Sequence, residues 1–192
     1  MGKPKALLDW HGVPLVAHVA AVLVEAVEPG AVVVVRAAGQ PLPSLRGVEV
    51  IDDTVVERGP LQGLRDGLAA LRGRADATFL SGTDAPFLHP RFVRVVLDAL
   101  DESHDAAVPE TDGRLHPLSA AYSVSLLPLV ERLLAGGERR VQAVGRHCRM
   151  LTLNEVRLRG DPTLARLDPG LRALWNLNTP ADYAAALREP SV

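Results

Sequence analysis

The chain has 192 residues, 47% of them hydrophobic and 23% charged, with a formal net charge of −2. That length suits one domain burying roughly 70% of its unfolded surface and is short for two. The near-neutral balance gives no electrostatic case for a nucleic-acid partner, and no apolar run approaches the ~20 residues of a membrane-spanning helix.

No signal-peptide pattern is read at the start of the sequence. Cys148 is the single cysteine, which excludes an internal disulfide and makes a reducing cytoplasm the expected compartment. His147 beside it, with the other histidines scattered, has no metal-ligand spacing. Among the 21 basic residues only Lys3 and Lys5 are lysine. A lysine kept in so arginine-rich a chain suggests a need for a compact ammonium; a solvated N-terminus is the plainer alternative.

Pro14 opens an apolar helical pattern through Val16, Val19, Ala20 and Leu23 to about Glu28, stopped by Pro29-Gly30. Ala31 to Val35 is a continuous β-branched run, as in a parallel strand covered on both faces. Gly47 to Ile51 is a shorter strand ending at Asp52-Asp53. Gly59-Pro60 starts a helix with Leu61, Leu64, Leu68 and Leu71 on one face. Ala77 to Ser81 is a strand running into Gly82-Thr83-Asp84, and Pro90 to Leu100 is helical by its spacing. Strands follow at Asp105 to Val108 and Leu118 to Tyr122, then a helix over Leu126 to Leu134. A short helix at Val141 to Gly145 precedes a strand at Arg149 to Glu155. Arg157 to Leu174 has no regular pattern. A last helix is expected after Asn176-Leu177-Asn178-Thr179-Pro180, with Thr179 as cap. Alternating strands and helices predict a single α/β domain with a mainly parallel sheet and helices on both faces, without repeats or linkers.

In open α/β sheets, ligands bind beyond the carboxyl ends of the strands. Asp52-Asp53, Ser81 to Asp84 and the Asn176/Asn178 pair fall there. Gly59-Pro60-Leu61-Gln62-Gly63 sits at a helix start on the same rim, where free amides can hold an anion or a base edge. Asp84 is the best metal candidate, because Mg²⁺ among phosphates takes only one or two protein carboxylates. A turn or helix cap is the alternative reading of each carboxylate.

Several motifs occur in an informative order: Met1-Gly2-Lys3-Pro4-Lys5-Ala6-Leu7-Leu8, Gly12-Val13-Pro14-Leu15, Val50-Ile51-Asp52-Asp53 and Gly59-Pro60-Leu61-Gln62-Gly63. Thr83-Asp84-Ala85-Pro86-Phe87, Arg114-Leu115-His116-Pro117-Leu118, Gly137-Glu138-Arg139-Arg140 and Asn176-Leu177-Asn178-Thr179-Pro180 complete the series. Together they resemble molybdenum cofactor guanylyltransferases and related sugar- and polyol-phosphate nucleotidyltransferases. The resemblance implies a three-layer Rossmann-like nucleotidyltransferase fold and transfer of GMP from GTP to molybdopterin, with Mg²⁺ as cofactor. It implies catalytic roles for Lys5 and Asp84, with Asp84 holding the metal. It implies nucleotide binding by Lys5, Asp53, Gly59, Pro60, Leu61, Gly63 and Asp84. Arg114, His116, Arg139, Arg140, Asn176 and Asn178 would face the pterin; a structural turn at His116 and a solvated helix start at Arg139-Arg140 are the alternatives. Molybdoenzymes or their chaperones are the implied protein partners.

The sequence departs from the family at Pro4, where Asp is usual, and at Arg36, where a nucleotide-contacting Asn is common. The family's first strand and Gly-rich loop would precede Met1, with that strand lying between 31–35 and 77–81. Five central residues make about ten ladder bonds of ~1 kcal/mol each, comparable with a domain's stability of ~5–15 kcal/mol. The expectation is therefore a true start upstream, Met1 being an internal methionine, and a chain that as written folds poorly and transfers nucleotide slowly or not at all. Readings kept open are a cytidylyltransferase, a guanylyltransferase for another phosphorylated acceptor, and a non-catalytic nucleotide-binding relative.

Overall fold

The computed structural model describes residues 4–28, 30–55 and 59–189. Met1 to Lys3 of the first motif and the Pro29 stop lie outside the described residues. A 3₁₀ turn over Lys5–Leu7 is followed by β1 (Asp9–Trp10), β2 (Val13–Pro14), α1 (Leu15–Ala26), β3 (Val32–Arg36), β4 (Val48–Asp52), α2 (Pro60–Leu71) and β5 (Ala77–Ser81). The chain continues through α3 (Pro90–Asp98), β6 (Ala106–Thr111), β7 (Arg114–Leu115), β8 (Ser119–Ser123), α4 (Leu127–Ala135), β9 (Met150–Leu153), α5 (Glu155–Arg159), α6 (Pro162–Leu167) and α7 (Pro180–Ala186).

β3 and β4 pair in parallel as a sheet of their own. The larger sheet runs β5-β8-β6-β9, with β7 folded back on β6. In it β5, β6 and β9 point one way and β8 the other. The α/β class holds, but the pairing is mixed rather than mainly parallel. The reason is local: Asp112 and Gly113 both take positive φ, 50° and 70°, and turn the chain tightly back. The short return through β7 leaves no room for a crossover helix, so β8 must enter antiparallel. Among the described residues β3 pairs only with β4, and β5 only with β8.

Period-two alternation divides the core between the faces of the large sheet. Ala107 and Ala121 pack on one side with Leu15, Val19, Phe92, Val93 and Val96 of α1 and α3. Ala106, Val108, Ala120 and Tyr122 pack on the other with Leu61, Leu64 and Leu68 of α2 and Val130 of α4. The leucine row of α2 also reaches the partly buried Val33 of β3 and Leu80 of β5. One helix thus spans both sheets.

Besides β7, other features escaped the sequence pattern. β1 and β2 form a two-residue hairpin over His11 and Gly12, with φ of 49° and 93°, so α1 begins at Leu15 and Pro14 precedes it. The segment expected to be irregular holds α5, capped by Asn154 accepting from Arg157 N at 2.9 Å. It also holds α6, capped by Asp161 accepting from Leu164 N at 2.7 Å. Thr179 caps α7 as expected, in a reciprocal capping box with Asp182.

Leu68, fully buried on α2, tests the spanning role. Leu68→Ala should cost about 2–5 kcal/mol in urea unfolding; a loss under ~1 kcal/mol would mean that α2 is not the joint between the sheets.

Candidate functional site

Strand direction gathers the candidate residues. β5 and β6 end, and β8 begins, at one rim of the large sheet. At the end of β5 the chain is held by Gly82 N donating to Leu118 O at 3.1 Å. The Asp84 side chain then curls back, so that a Cβ added at Gly82 would lie 2.6 Å from Asp84 Oδ1. Asp84 Oδ2 accepts from Lys5 Nζ at 3.0 Å. Lys5 arrives on the 3₁₀ turn, closed by Leu7 N donating to Pro4 O at 2.9 Å; Pro4, the departure from the family pattern, starts this turn with extended backbone. The Tyr183 hydroxyl of α7 donates to Asp9 O and fastens the same segment.

The Asn176–Asn178 stretch lies alongside, because Leu177 N donates to Asp84 O at 2.9 Å. Asn178 N and Thr179 N both donate to Asp182 Oδ2, at 2.9 and 2.8 Å. Those donors, led by the Thr179 amide and hydroxyl, hold the Asp182 carboxyl below its ordinary range, with a smaller contribution from the nearby Lys5 charge. Lys5 is thus paired with Asp84, and its charge is also felt at Asp182.

A second group forms at the start of α2. Gly59 has φ +71°, and a Cβ there would meet Arg139 O at 3.1 Å. Leu61 N donates to Arg139 O at 3.1 Å. The Gly59–Gly63 loop therefore packs against the Glu138–Arg140 turn. Glu138 Oε1 accepts from Arg140 N at 3.0 Å and Arg139 N at 2.8 Å, and its carboxyl is lowered to about 2, chiefly by those two amides. The side chains of Arg139 and Arg140 are exposed. Asp53 completes the group: its amide donates to Arg36 O at 2.7 Å, and its carboxyl faces Asp66 of α2. Arg36 itself is tied to Asp52 by a 2.7 Å bond from Nε.

Arg114 and His116 belong to the β6–β7 hairpin. His116 Nε2 and Thr111 Oγ1 lie 2.8 Å apart, and burial, then the Arg114 charge, lower the imidazole pKa. His116 O accepts from Ser119 N at 3.0 Å, so this residue braces the turn that delivers Leu118 to Gly82. No bond joins it to Lys5 or Asp84. Asp84 stands without a cluster around it: among the described residues no three His, Cys, Asp or Glu gather as a metal site. Two cavities, of about 230 Å³ beside Trp10 and His18 and about 280 Å³ beside Arg91 and Arg157, are lined by none of the candidate residues.

Residues 1–151 match the model of the MobA-like NTP transferase domain. The chain belongs to that family. It is 34% identical over 192 residues to the molybdenum cofactor guanylyltransferase of Rhodobacter capsulatus, covering 97% of this chain and 87% of that protein. It is 33% identical over 129 residues to the molybdenum cofactor guanylyltransferase of Desulfosudis oleivorans, which is 67% of this chain and 60% of that protein. The chain thus spans less than two thirds of the length of that relative. The fold is shared with the crystal structure of molybdopterin-guanine dinucleotide biosynthesis protein A from Archaeoglobus fulgidus, with TM-score 0.72, 22% identity, and coverage of 97% of this chain and 90% of that one.

Sequence reasoning about this MobA-like domain missed Asp66 and Asp182, and named Gly82 and Gln62 only inside their motifs, with no role of their own. A signal existed for two of them. Gln62 and Asp66 stand four apart on α2 among leucines, so both are polar groups on a buried helix face and needed partners. Gly59 and Gly63 also separate on inspection. Gly59→Ala should lower stability by about 1–3 kcal/mol through its left-handed φ and the contact with Arg139. Gly63→Ala, where a Cβ meets nothing within 4 Å, should leave the melting temperature unchanged or raise it. Equal melting temperatures for the two variants would contradict the packing described.

Proposed function

We propose that the chain transfers GMP from GTP to the phosphate of molybdopterin, forming the guanine dinucleotide cofactor and releasing pyrophosphate. The observation that carries this reading is the convergence of Lys5 and Asp84 at the sheet rim, Nζ to Oδ2 3.0 Å, beside Asn176 and Asn178. An acceptor phosphate oxygen attacks the α-phosphorus, and the bond from that phosphorus to the β-phosphate oxygen breaks. The attacking monoester is already ionised near neutrality. The chemistry therefore needs neutralisation of phosphate charge more than a general base.

Lys5, as a point charge, neutralises the α-phosphate as charge builds there. Asp84 is the residue that would hold Mg²⁺. A single carboxylate beyond a strand end fits a cation that takes most of its ligands from phosphates and water. Such an ion, when bound, screens the triphosphate and favours departure of pyrophosphate. Asp53 and the Gly59–Gly63 loop take the base and ribose. Arg139 and Arg140 stand next to that loop, so they can also meet nucleotide phosphate, while Arg114, Asn176 and Asn178 receive the acceptor. The lone thiol of Cys148 suits a cytoplasmic setting, with molybdoenzymes or their chaperones receiving the product; no described helix is long and apolar enough to cross a membrane.

With GTP, Mg²⁺ and molybdopterin, Asp84→Asn and Lys5→Ala should each slow pyrophosphate release by about 10²–10³. Neither should move the melting temperature much, since the ion pair is 38% and 22% exposed and such pairs contribute ~0–1 kcal/mol. A wild-type preference for CTP over GTP, or full activity in Asp84→Asn, would overturn the reading.

A further inference from the structure

Asp53 Oδ1 is buried and receives no hydrogen bond, although its carboxyl lies within hydrogen-bonding reach of the Asp66 carboxyl. Asp66, only 2% exposed, is already surrounded by donors. It accepts from Thr54 N at 3.0 Å and Thr54 Oγ1 at 2.8 Å. Gln62 Nε2 reaches both its oxygens at 3.2 Å and also donates to Thr54 Oγ1 at 2.9 Å. Arg65 Nη1 adds a bond of 3.1 Å. Burial of Oδ1 opposite a second carboxylate disfavours two charges there, and when Asp53 carries a proton that proton supplies the partner that Oδ1 lacks. The donors around Asp66 favour its ionised form, so Asp53 is the member of the pair that takes up a proton first.

We propose that Asp66 is a positioning residue for nucleotide binding: one proton held jointly with Asp53 clamps the Asp53-Thr54 turn to the first turns of α2, against the face that receives the base. This rests on the placement of the base under Proposed function. Gln62 extends the clamp by bonding both Thr54 and Asp66. Among the described residues, three charged groups near the pair have partners of their own. Arg65 reaches Glu131 of α4 at 2.8 Å, Arg36 of β3 holds Asp52 of β4, and Glu138 is bound by its own turn.

Burial, then the hydrogen bond and charge of Asp66, raise the Asp53 carboxyl above its ordinary 3.8. Burial alone would raise Asp66 too, but the donors from Thr54, Gln62 and Arg65 outweigh it and its pKa falls. The raised group fixes the sign. The Asp53–Asp66 link in the clamp is present while Asp53 keeps its proton and is lost as pH rises through Asp53's folded titration point, where the two charges repel and strain the Thr54 bonds that remain. Nucleotide affinity should therefore fall as pH rises through that point.

The test is calorimetric titration of the whole chain with GTP and, separately, CTP across pH, using wild type, Asp66→Asn and Asp66→Ala. Asparagine keeps an acceptor for Thr54 and Gln62 and offers an N–H to Asp53. It should preserve binding and flatten the pH profile, whereas Asp66→Ala should weaken binding about tenfold. The carbon-13 titration of Asp53 should drop in Asp66→Asn, a change that a purely structural role for Asp66 would not produce. Asp53→Asn should flatten the profile too, which covers the case of an Asp66 variant that does not fold. A wild-type slope retained in Asp66→Asn, or unchanged GTP affinity in Asp66→Ala, would overturn the clamp while leaving guanylyl transfer intact. Binding of CTP alone, with the same dependence on Asp66, would overturn the guanine reading and support the clamp.

Discussion

Everything at the rim depends on how α2 is seated. Leu61, Leu64, Leu68 and Leu71 are buried in one row, and that row touches β3 through Val33, β5 through Leu80 and α4 through Val130. Each such leucine contributes roughly 1.5–3 kcal/mol on burial, and there is no other way to bury the row and keep the helix amphipathic. The direction of α2 is thus fixed by the core, and with it the place of its first turn. Gly59, Gln62, Gly63 and Asp66 ride on that turn or the next. The Gly59–Gly63 loop is therefore positioned by leucines buried in the core behind it. Because β3 and β5 do not pair among the described residues, this helix also carries the coupling between the two sheets that a ladder would otherwise share.

Two carboxylates at the rim illustrate opposite strategies. Asp84 and its cationic partner Lys5 are both partly exposed, so their ion pair adds little to stability. Its geometry comes instead from neutral contacts: the missing Cβ at Gly82, the amide of Leu177 on its carbonyl, and the Leu118 carbonyl on Gly82. That leaves the charge free to change partners. Asp66 is buried and saturated with donors, so it is costly to disturb and serves to hold other groups still. Reactive charge sits on an ordered backbone, and the buried charge does the bracing.

How far the sequence disclosed this follows from range. The β-branched run at 32–35 and the Ala77–Ser81 segment were legible because their apolar character is local. α2 was legible because its leucines repeat at helical spacing. β7 was missed although Asp112-Gly113 is a strong hairpin signal, and α5 and α6 were missed although Asn154 and Asp161-Pro162 are helix starts. Those were local signals left unread. Gly82 and Asp182 are different in kind: Gly82 matters through the later Asp84 carboxylate, and Asp182 through the electrostatics of a lysine far away in sequence. The Lys5–Asp84 approach, 79 residues apart, was reachable only through the ordered motifs, since no periodicity encodes it. His116 combines both kinds of signal: its motif implied a substrate contact, and its hydrogen bonds to Thr111 and Ser119, unforeseen from sequence, also brace the hairpin.

The lysine at position 5 is best understood against the arginines around it. Arg149 grips Asp105 through Nε and Nη2, at 3.1 and 2.7 Å, and Arg65 grips Glu131 through the same two atoms at 3.2 and 2.8 Å. Such two-pronged pairs are geometrically selective and bind the planar group to one carboxylate. Lys5 makes one contact to one oxygen. An ammonium on a flexible stem can move from a carboxylate to a phosphate oxygen without dismantling a planar fork, and its charge stays concentrated on a single atom as it moves. For the guanylyl transfer proposed above, a cation able to exchange a carboxylate for a phosphate oxygen is the group the chemistry calls for. That proposal gives a physical reason for a lysine at position 5, where the other ion pairs among the described residues draw their cation from arginine or histidine.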